Sequence, residues 1–109
     1  MKVLVVEDNA DAGAAFAMLL EMEGHQVTVV GSVATALDAG PHDVAFIDLS
    51  LPDGSGRDVA SAKVAPVCVA VTGHNRSEVW DSCVEAGFTE YLRKPVDFDE
   101  ITTLLAKLA

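Results

Sequence analysis

The chain has 109 residues, half of them hydrophobic, which is enough for one compact domain with its own core. Seventeen acidic residues against seven basic ones give a formal net charge of −10, which excludes direct binding to nucleic acid or to an anionic membrane surface. Cys68 and Cys83 form no CxxC pair, so we expect reduced, buried thiols. The scattered histidines, His25, His42 and His74, argue against a zinc site.

The first apolar run, residues 3–6, stops at Glu7 and Asp8, too soon for a signal peptide. No stretch approaches the roughly 20 apolar residues that span a bilayer. We therefore expect a cytoplasmic protein with one domain over residues 1–109. The same run suits a strand that is buried on both faces of a sheet.

Strand and helix patterns alternate along the whole chain. In order they predict a strand at 3–6, a helix at 10–23, a strand at 26–30, a short helix from 31–32 to about 39, a strand at 43–47, a turn-rich loop at 51–56, a brief helix at 57–63, a strand at 67–71, a helix at 78–86, a strand at 89–92 and an amphipathic helix at 97–109. Only nine residues separate Gly56 from Pro66, so the third helix should be unusually short.

Five strands alternating with five helices predict an α/β fold, with a parallel sheet and helices on both of its faces. Right-handed crossovers favour a single doubly wound, flavodoxin-like sheet with strand order 2-1-3-4-5. In that order strands 1, 3, 4 and 5 lie side by side. Ligands of such sheets bind outside the carboxyl ends of the strands.

Polar side chains stand at those carboxyl ends. Strand 1 ends in Glu7 and Asp8, strand 3 in Asp48, strand 4 in Thr72 and strand 5 in Lys94. Three neighbouring carboxylates repel one another unless a cation joins them, and Mg²⁺ is the usual hard ion where phosphate is involved. Lysine and a threonine hydroxyl suit phosphate oxygens. The set therefore predicts phosphoryl transfer, with Asp48 on the central strand as the nucleophile.

Four segments in this order resemble the receiver domains of two-component response regulators. They are Val-Val-Glu-Asp-Asn at 5–9, Ile-Asp-Leu-Ser-Leu-Pro-Asp-Gly at 47–54, Val-Thr-Gly at 71–73 and Tyr-Leu-Arg-Lys-Pro at 91–95. Each is weak alone, but their joint order covers essentially the whole chain. The resemblance implies a phosphoryl-accepting switch for two-component or phosphorelay signalling, and not an enzyme with a separate substrate.

The resemblance also implies a role for each matching residue. Asp48 would be the phosphoacceptor, Asp8 a direct Mg²⁺ ligand, Glu7 a ligand directly or through water, and Ser50 a ligand through its backbone carbonyl. The phosphoryl oxygens would be bound by Thr72, Lys94 and the N–H groups of Leu49 and Gly73. Tyr91 would be the aromatic side chain that changes rotamer on activation, after Thr72 moves toward the phosphoryl group.

The partners that the resemblance implies are proteins. The donor would be the phosphohistidine of a histidine kinase or histidine phosphotransfer protein, and the output a downstream signalling protein. The first helix, with Ala12, Ala14, Ala15 and Phe16, resembles the face offered to the donor. The face of helix 4, strand 5 and helix 5 is the candidate output surface, and a homodimer through it stays open.

Other interpretations stay open on the residues alone. The acids at 7–8 could cap the first helix, and Asp48 could be a turn residue. An aspartate-nucleophile phosphatase uses similar groups, but its nucleophile precedes its acidic pair, and it has a second acid where Ser50 stands. A module of this fold that never uses phosphate is the second alternative. Whether the domain is free-standing or belongs to a hybrid kinase is also open.

Overall fold

The central element is a five-stranded parallel sheet in a computed structural model that describes residues 1–108. Its strands are β1 (Lys2–Val6), β2 (Gln26–Val30), β3 (Val44–Asp48), β4 (Val67–Thr72) and β5 (Glu90–Arg93). Neighbouring strands are parallel in the order β2-β1-β3-β4-β5. The predicted fold class and strand order are confirmed.

Five helices connect and follow the strands. They are α1 (Ala10–Met22), α2 (Val33–Leu37), α3 (Gly56–Ser61), α4 (Arg76–Ala86) and α5 (Phe98–Leu108). The Asn9 side chain caps α1 by accepting a hydrogen bond from the Ala12 N–H, and Gly87 ends α4 at a φ of +108°. The short third helix is confirmed. The last residue of the predicted closing helix, at 109, lies outside the described residues.

The predicted turn-rich loop at 51–56 is wrong in part, because residues 50–55 form a small antiparallel hairpin. Ser50 pairs with Ser55, and Leu51 pairs with Gly54. We call this element the β3–α3 hairpin. Gly56 is the first residue of α3 because the Ser55 hydroxyl caps the helix by accepting a hydrogen bond from the Arg57 N–H.

Most other boundaries differ from the prediction by one or two residues, as α4 and β5 illustrate. Helix α4 begins at Arg76 and not at 78, because the Glu78 carboxylate accepts a hydrogen bond from the Asn75 N–H and closes the first turn. Strand β5 is shifted by one residue toward the carboxyl end and includes Arg93. Both differences lie at element ends, where local hydrogen bonds decide the boundary.

The sheet separates two apolar layers. Along β1, Val3 and Val5 face the layer that contains Leu20 of α1 and Ile101 of α5. The alternate residues of β1 face the second layer, formed with α2, α3 and α4. Both cysteines are free and buried in the second layer, as expected. Within residues 1–108, no helix combines the length and apolar character needed to cross a membrane.

Candidate functional site

The carboxyl ends of β1, β3 and β5 meet at one edge of the sheet. Glu7 follows β1, Asp48 is the last residue of β3, and Lys94 follows β5. The parallel register pairs Val6 with Ile47, so the residues that follow these two positions leave the sheet side by side. Two acids and a lysine that are far apart in sequence thus occupy one edge.

Lys94 joins two carboxylates at this edge. Its Nζ atom lies 2.8 Å from Glu7 Oε1 and 2.9 Å from Asp48 Oδ2, so it donates a charge-assisted hydrogen bond to each. Both acidic side chains are 11% exposed, whereas the Lys94 side chain is 36% exposed. The Lys94 ammonium is therefore more exposed to solvent than the two nearly buried carboxylates that it binds.

The cluster shifts the pKa values of two of its members. Burial raises the pKa of Glu7 above its ordinary value; the hydrogen bond from Lys94 opposes that shift, and the neighbouring Asp48 adds to it. Burial lowers the pKa of Lys94, but the hydrogen bonds to Glu7 and Asp48 outweigh it, so the net shift is upward. Lys94 therefore stays charged at neutral pH.

Asp8 completes a group of three carboxylates. One oxygen from each of Glu7, Asp8 and Asp48 can be chosen so that all three lie within 4.8 Å of one another. Three carboxylates and the one Lys94 ammonium leave a formal charge of −2, which a single divalent cation would balance. The donors are all oxygen atoms, so the set fits a hard ion such as Mg²⁺.

The backbone around Asp48 is held by residues on its carboxyl side. The Ser50 N–H donates to Asp48 Oδ1 at 3.1 Å, and the Gly56 N–H donates to the Leu49 carbonyl at 3.0 Å. Gly56 is so close that a Cβ atom there would lie 2.1 Å from the Asp48 carbonyl oxygen. The sequence analysis treated Gly56 only as a turn residue and missed this contact.

Thr72 and Tyr91 meet at the backbone of His74, in the loop between β4 and α4. The buried Thr72 hydroxyl accepts a hydrogen bond from the His74 N–H at 3.2 Å. The Tyr91 hydroxyl donates to the His74 carbonyl. The His74 side chain is exposed, but its backbone links the two predicted switch residues, which the sequence analysis missed.

An aromatic stack extends from Tyr91 along α4. The Trp80 ring meets the Tyr91 ring edge to face, with ring centroids 6.5 Å apart. The guanidinium carbon of Arg76 lies 4.5 Å from the centroid of the Trp80 ring, a cation–π contact. Trp80 is a half-buried packing residue, and it connects the Tyr91 ring to the surface of α4.

A cavity of about 490 Å³ opens beside the charged cluster, between α1 and the start of α5. Its polar end contains Asp48 and Lys94. Its apolar wall includes Ala12, Ala15 and Phe16 of α1. Three of the four α1 residues that the sequence analysis singled out therefore border the same opening as Asp48, whereas Ala14 is exposed and does not line it.

This sheet order, with acids and a lysine at the carboxyl edge, defines a doubly wound α/β domain with a polar site at its strand ends. The chain belongs to the response regulator receiver domain family, whose model matches residues 3–106. The predicted family is confirmed, and the chain is a receiver domain of two-component signalling.

Solved structures and curated relatives agree with this family. A CheY-like receiver domain from Methylobacillus flagellatus is 34% identical, with a TM-score of 0.89 over 100% of this chain and 98% of that one. The cyclic di-GMP phosphodiesterase of Thermotoga maritima is 34% identical over 91% of this chain. The photosynthetic apparatus regulatory protein RegA of Cereibacter sphaeroides is 34% identical over 96% of this chain. The chain spans only 28% and 61% of the lengths of these two relatives.

Proposed function

We propose that this receiver domain, residues 1–109, accepts a phosphoryl group on Asp48 from the phosphohistidine of a histidine kinase or histidine phosphotransfer protein. One observation carries the proposal: Asp48 shares the Lys94 ammonium with Glu7 and lies in a cluster of three carboxylates that is short of positive charge. A carboxylate nucleophile beside its own charge-neutralising groups suits phosphoryl transfer, which depends mainly on positioning and electrostatics.

In the transfer, one Asp48 carboxylate oxygen bonds to phosphorus while the bond from phosphorus to the donor imidazole nitrogen breaks. The electron pair of that bond returns to the imidazole nitrogen. Lys94 and the N–H groups of Leu49 and Gly73 bind the phosphoryl oxygens. The Thr72 hydroxyl only accepts in its bond with the His74 N–H, so its own proton is free to donate to a phosphoryl oxygen.

The carboxylates of Glu7, Asp8 and Asp48, with the backbone carbonyl of Ser50, would hold Mg²⁺. When bound, this ion supplies positive charge that neutralises the phosphoryl oxygens during transfer. The three carboxylates and Lys94 together carry a formal charge of −2, which favours the binding of a divalent cation.

The donor protein is proposed to dock on α1. The cavity beside Asp48 has an apolar wall of small α1 residues, Ala12 and Ala15, which leaves room for a protein helix that presents its histidine to Asp48. The output is a changed surface of α4, β5 and α5, recognised by a downstream signalling protein in the cytoplasm. The domain therefore acts as a switch and not as an enzyme with a separate substrate; self-association through the output surface is left open.

Tyr91 is proposed as the switch residue that carries the change to this surface. Tyr91→Phe removes the hydroxyl that binds the His74 carbonyl but keeps the ring that packs against Trp80. We expect the free energy of unfolding to fall by about 1 kcal/mol, which is typical of the loss of one hydrogen bond. Amide hydrogen exchange of residues 73–75 should become faster, whereas exchange in α1 should not change. Unchanged exchange at 73–75 would show that the hydroxyl does not hold the loop.

The experiment that tests the function is intact-mass measurement after incubation with acetyl phosphate, with and without Mg²⁺. The wild-type chain should gain one phosphoryl group only when Mg²⁺ is present. Asp48→Asn should abolish the adduct, because the amide nitrogen and oxygen lack the nucleophilic charge of the carboxylate. Asp43→Asn, at the opposite edge of the sheet, is the matched control and should react like wild type.

Three results would count against the proposal. An adduct that persists in Asp48→Asn would place the acceptor elsewhere in the chain. A wild-type chain that gains no phosphoryl group from acetyl phosphate, nor from a phosphorylated histidine phosphotransfer protein, would favour the binding module that never uses phosphate. Continuous release of phosphate from added phosphate esters would instead favour the phosphatase alternative.

A further inference from the structure

The tip of the β3–α3 hairpin is fastened to the first turn of α2. Asp53 Oδ1 accepts a hydrogen bond from the Val33 N–H at 2.8 Å, and Asp53 Oδ2 accepts one from the Ala34 N–H at 3.0 Å. Both carboxylate oxygens are thus engaged by a segment about 20 residues away in sequence. These bonds also lower the pKa of Asp53 below its ordinary value, so the carboxylate is ionised at neutral pH.

The first turn of α2 is completed by this carboxylate. The Ser32 hydroxyl caps the helix by accepting from the Thr35 N–H at 3.1 Å, which leaves the N–H groups of Val33 and Ala34 for Asp53. Helix α2 has only five residues, so its backbone has few other hydrogen bonds with which to hold its position. Asp53 therefore fixes α2 and the hairpin to each other.

The base of the same hairpin is tied to Asp48. It begins at Ser50, whose N–H donates to Asp48 Oδ1, and it is followed by Gly56, which donates to the Leu49 carbonyl. The hairpin is thus held at its base by the backbone next to Asp48 and at its tip by Asp53. Its ladder has only two residue pairs, too few to keep one position without outside support.

We propose that Asp53 is a positioning residue that fixes the β3–α3 hairpin on α2 and thereby sets the affinity of the carboxylate cluster for Mg²⁺. The proposal rests on the function proposed above. The Ser50 carbonyl, the proposed backbone ligand, lies on this hairpin, so a hairpin freed at its tip would no longer hold that oxygen in place. Partners that orient metal ligands from outside the coordination shell commonly change metal affinity by about 10–100-fold.

The test compares Asp53→Ala and Asp53→Asn with a matched control, Asp43→Ala. Asp43 is also an exposed aspartate that accepts a backbone hydrogen bond, from the Lys2 N–H at 2.8 Å, but it lies before β3 at the other edge of the sheet. Mg²⁺ binding is measured by isothermal titration calorimetry, hairpin anchoring by amide hydrogen exchange of Val33 and Ala34, and phosphorylation by intact mass with acetyl phosphate.

We expect Asp53→Ala to raise the Mg²⁺ dissociation constant roughly tenfold, the lower end of the range for such partners. Exchange at Val33 and Ala34 should accelerate, and saturating Mg²⁺ should restore most of the phosphorylation rate. Asp53→Asn keeps one carbonyl acceptor and should lie between Asp53→Ala and wild type. Asp43→Ala should bind Mg²⁺ like wild type.

The outcomes separate this inference from the function on which it rests. If the wild-type chain binds Mg²⁺ and is phosphorylated, but both Asp53 variants bind Mg²⁺ as Asp43→Ala does, Asp53 only caps α2 and the inference is wrong. If Asp53→Ala does not fold, the Asp53→Asn dissociation constant decides in the same way. If the wild-type chain neither binds Mg²⁺ nor gains a phosphoryl group, the proposed function fails, and the inference fails with it.

Discussion

Gly56→Ala is expected to lower the free energy of unfolding by about 3 kcal/mol, the upper part of the range for overpacked interior positions. A Cβ atom at this position would lie 2.1 Å from the Asp48 carbonyl oxygen and 2.8 Å from Ile47 Cγ2. The first contact is with backbone, so no side-chain rotation can relieve it. The preference of helices for alanine over glycine, about 1 kcal/mol, is too small to offset this clash.

The measurement is urea unfolding of the wild type and the variant. The slope of the unfolding free energy against urea concentration should be equal in both, which shows that both expose the same surface on unfolding. Gly73→Ala is the matched control, because a Cβ atom there would meet no atom within 4 Å. Its stability should lie within about 0.5 kcal/mol of wild type. If Gly56→Ala is as stable as Gly73→Ala, then α3 can move away from β3 and the close approach is not required.

The sheet and the charged edge could be predicted from the sequence because both depend on patterns within a few consecutive residues. Apolar runs that end in Glu7 and Asp48 identify two strands, a shorter mixed segment precedes Lys94, and the rules of parallel topology then place the carboxyl ends together. The structure brings those three side chains within hydrogen-bonding distance. Strand order followed from the same reasoning, whereas the receiver family was indicated by the resemblance of four short segments at these strand ends.

What the sequence could not predict depends on contacts between separate segments. Asp53 in a Pro-Asp-Gly turn reads as a turn residue, because nothing near it in sequence indicates that α2 supplies its partners. The junction at His74 is formed by its backbone, which carries no sequence signal. The backbone of Asp48 lies too close to Gly56 for any side chain there. This close approach is likewise visible only once β3 and α3 are packed together.

Lys94→Met is expected to destabilise the Mg²⁺-free protein by about 2 kcal/mol at neutral pH. Removing one partner of a fully buried ion pair costs about 3–5 kcal/mol. The Lys94 side chain is 36% exposed, so solvent screening reduces that figure. The loss arises because Glu7 and Asp48 would remain nearly buried, close together and without a cation. Methionine keeps the apolar length of the side chain, so the variant tests the charge.

The pH dependence follows from the upward shift in the pKa of Lys94. A lysine whose pKa is higher in the folded state stabilises that state fully below its unfolded pKa and loses this effect as the pH rises through the folded pKa. The difference between wild type and Lys94→Met should therefore be complete at neutral pH. It should disappear only in the alkaline range, above the ordinary pKa of lysine.

Lys107→Met is the matched control for the loss of charge. Lys107 also binds a carboxylate, Glu90 Oε1 at 3.0 Å, but its side chain is 67% exposed. Exposed pairs contribute about 0–1 kcal/mol, so this variant should stay close to wild type. If Lys94→Met lowers the free energy of unfolding no more than Lys107→Met does, then Lys94 does not stabilise the protein by neutralising the carboxylates at this edge.

Mg²⁺ should then separate the two variants. A ligand that binds only the folded state stabilises it in proportion to the logarithm of its concentration over its dissociation constant. In Lys94→Met the ion would meet the three carboxylates without a competing ammonium, so Mg²⁺ should restore most of the lost stability and should bind more tightly than in wild type. In Lys107→Met it should stabilise no more than in wild type. If Mg²⁺ leaves Lys94→Met as unstable as before, the three carboxylates do not form the metal site, and the charge deficit at this edge needs another explanation.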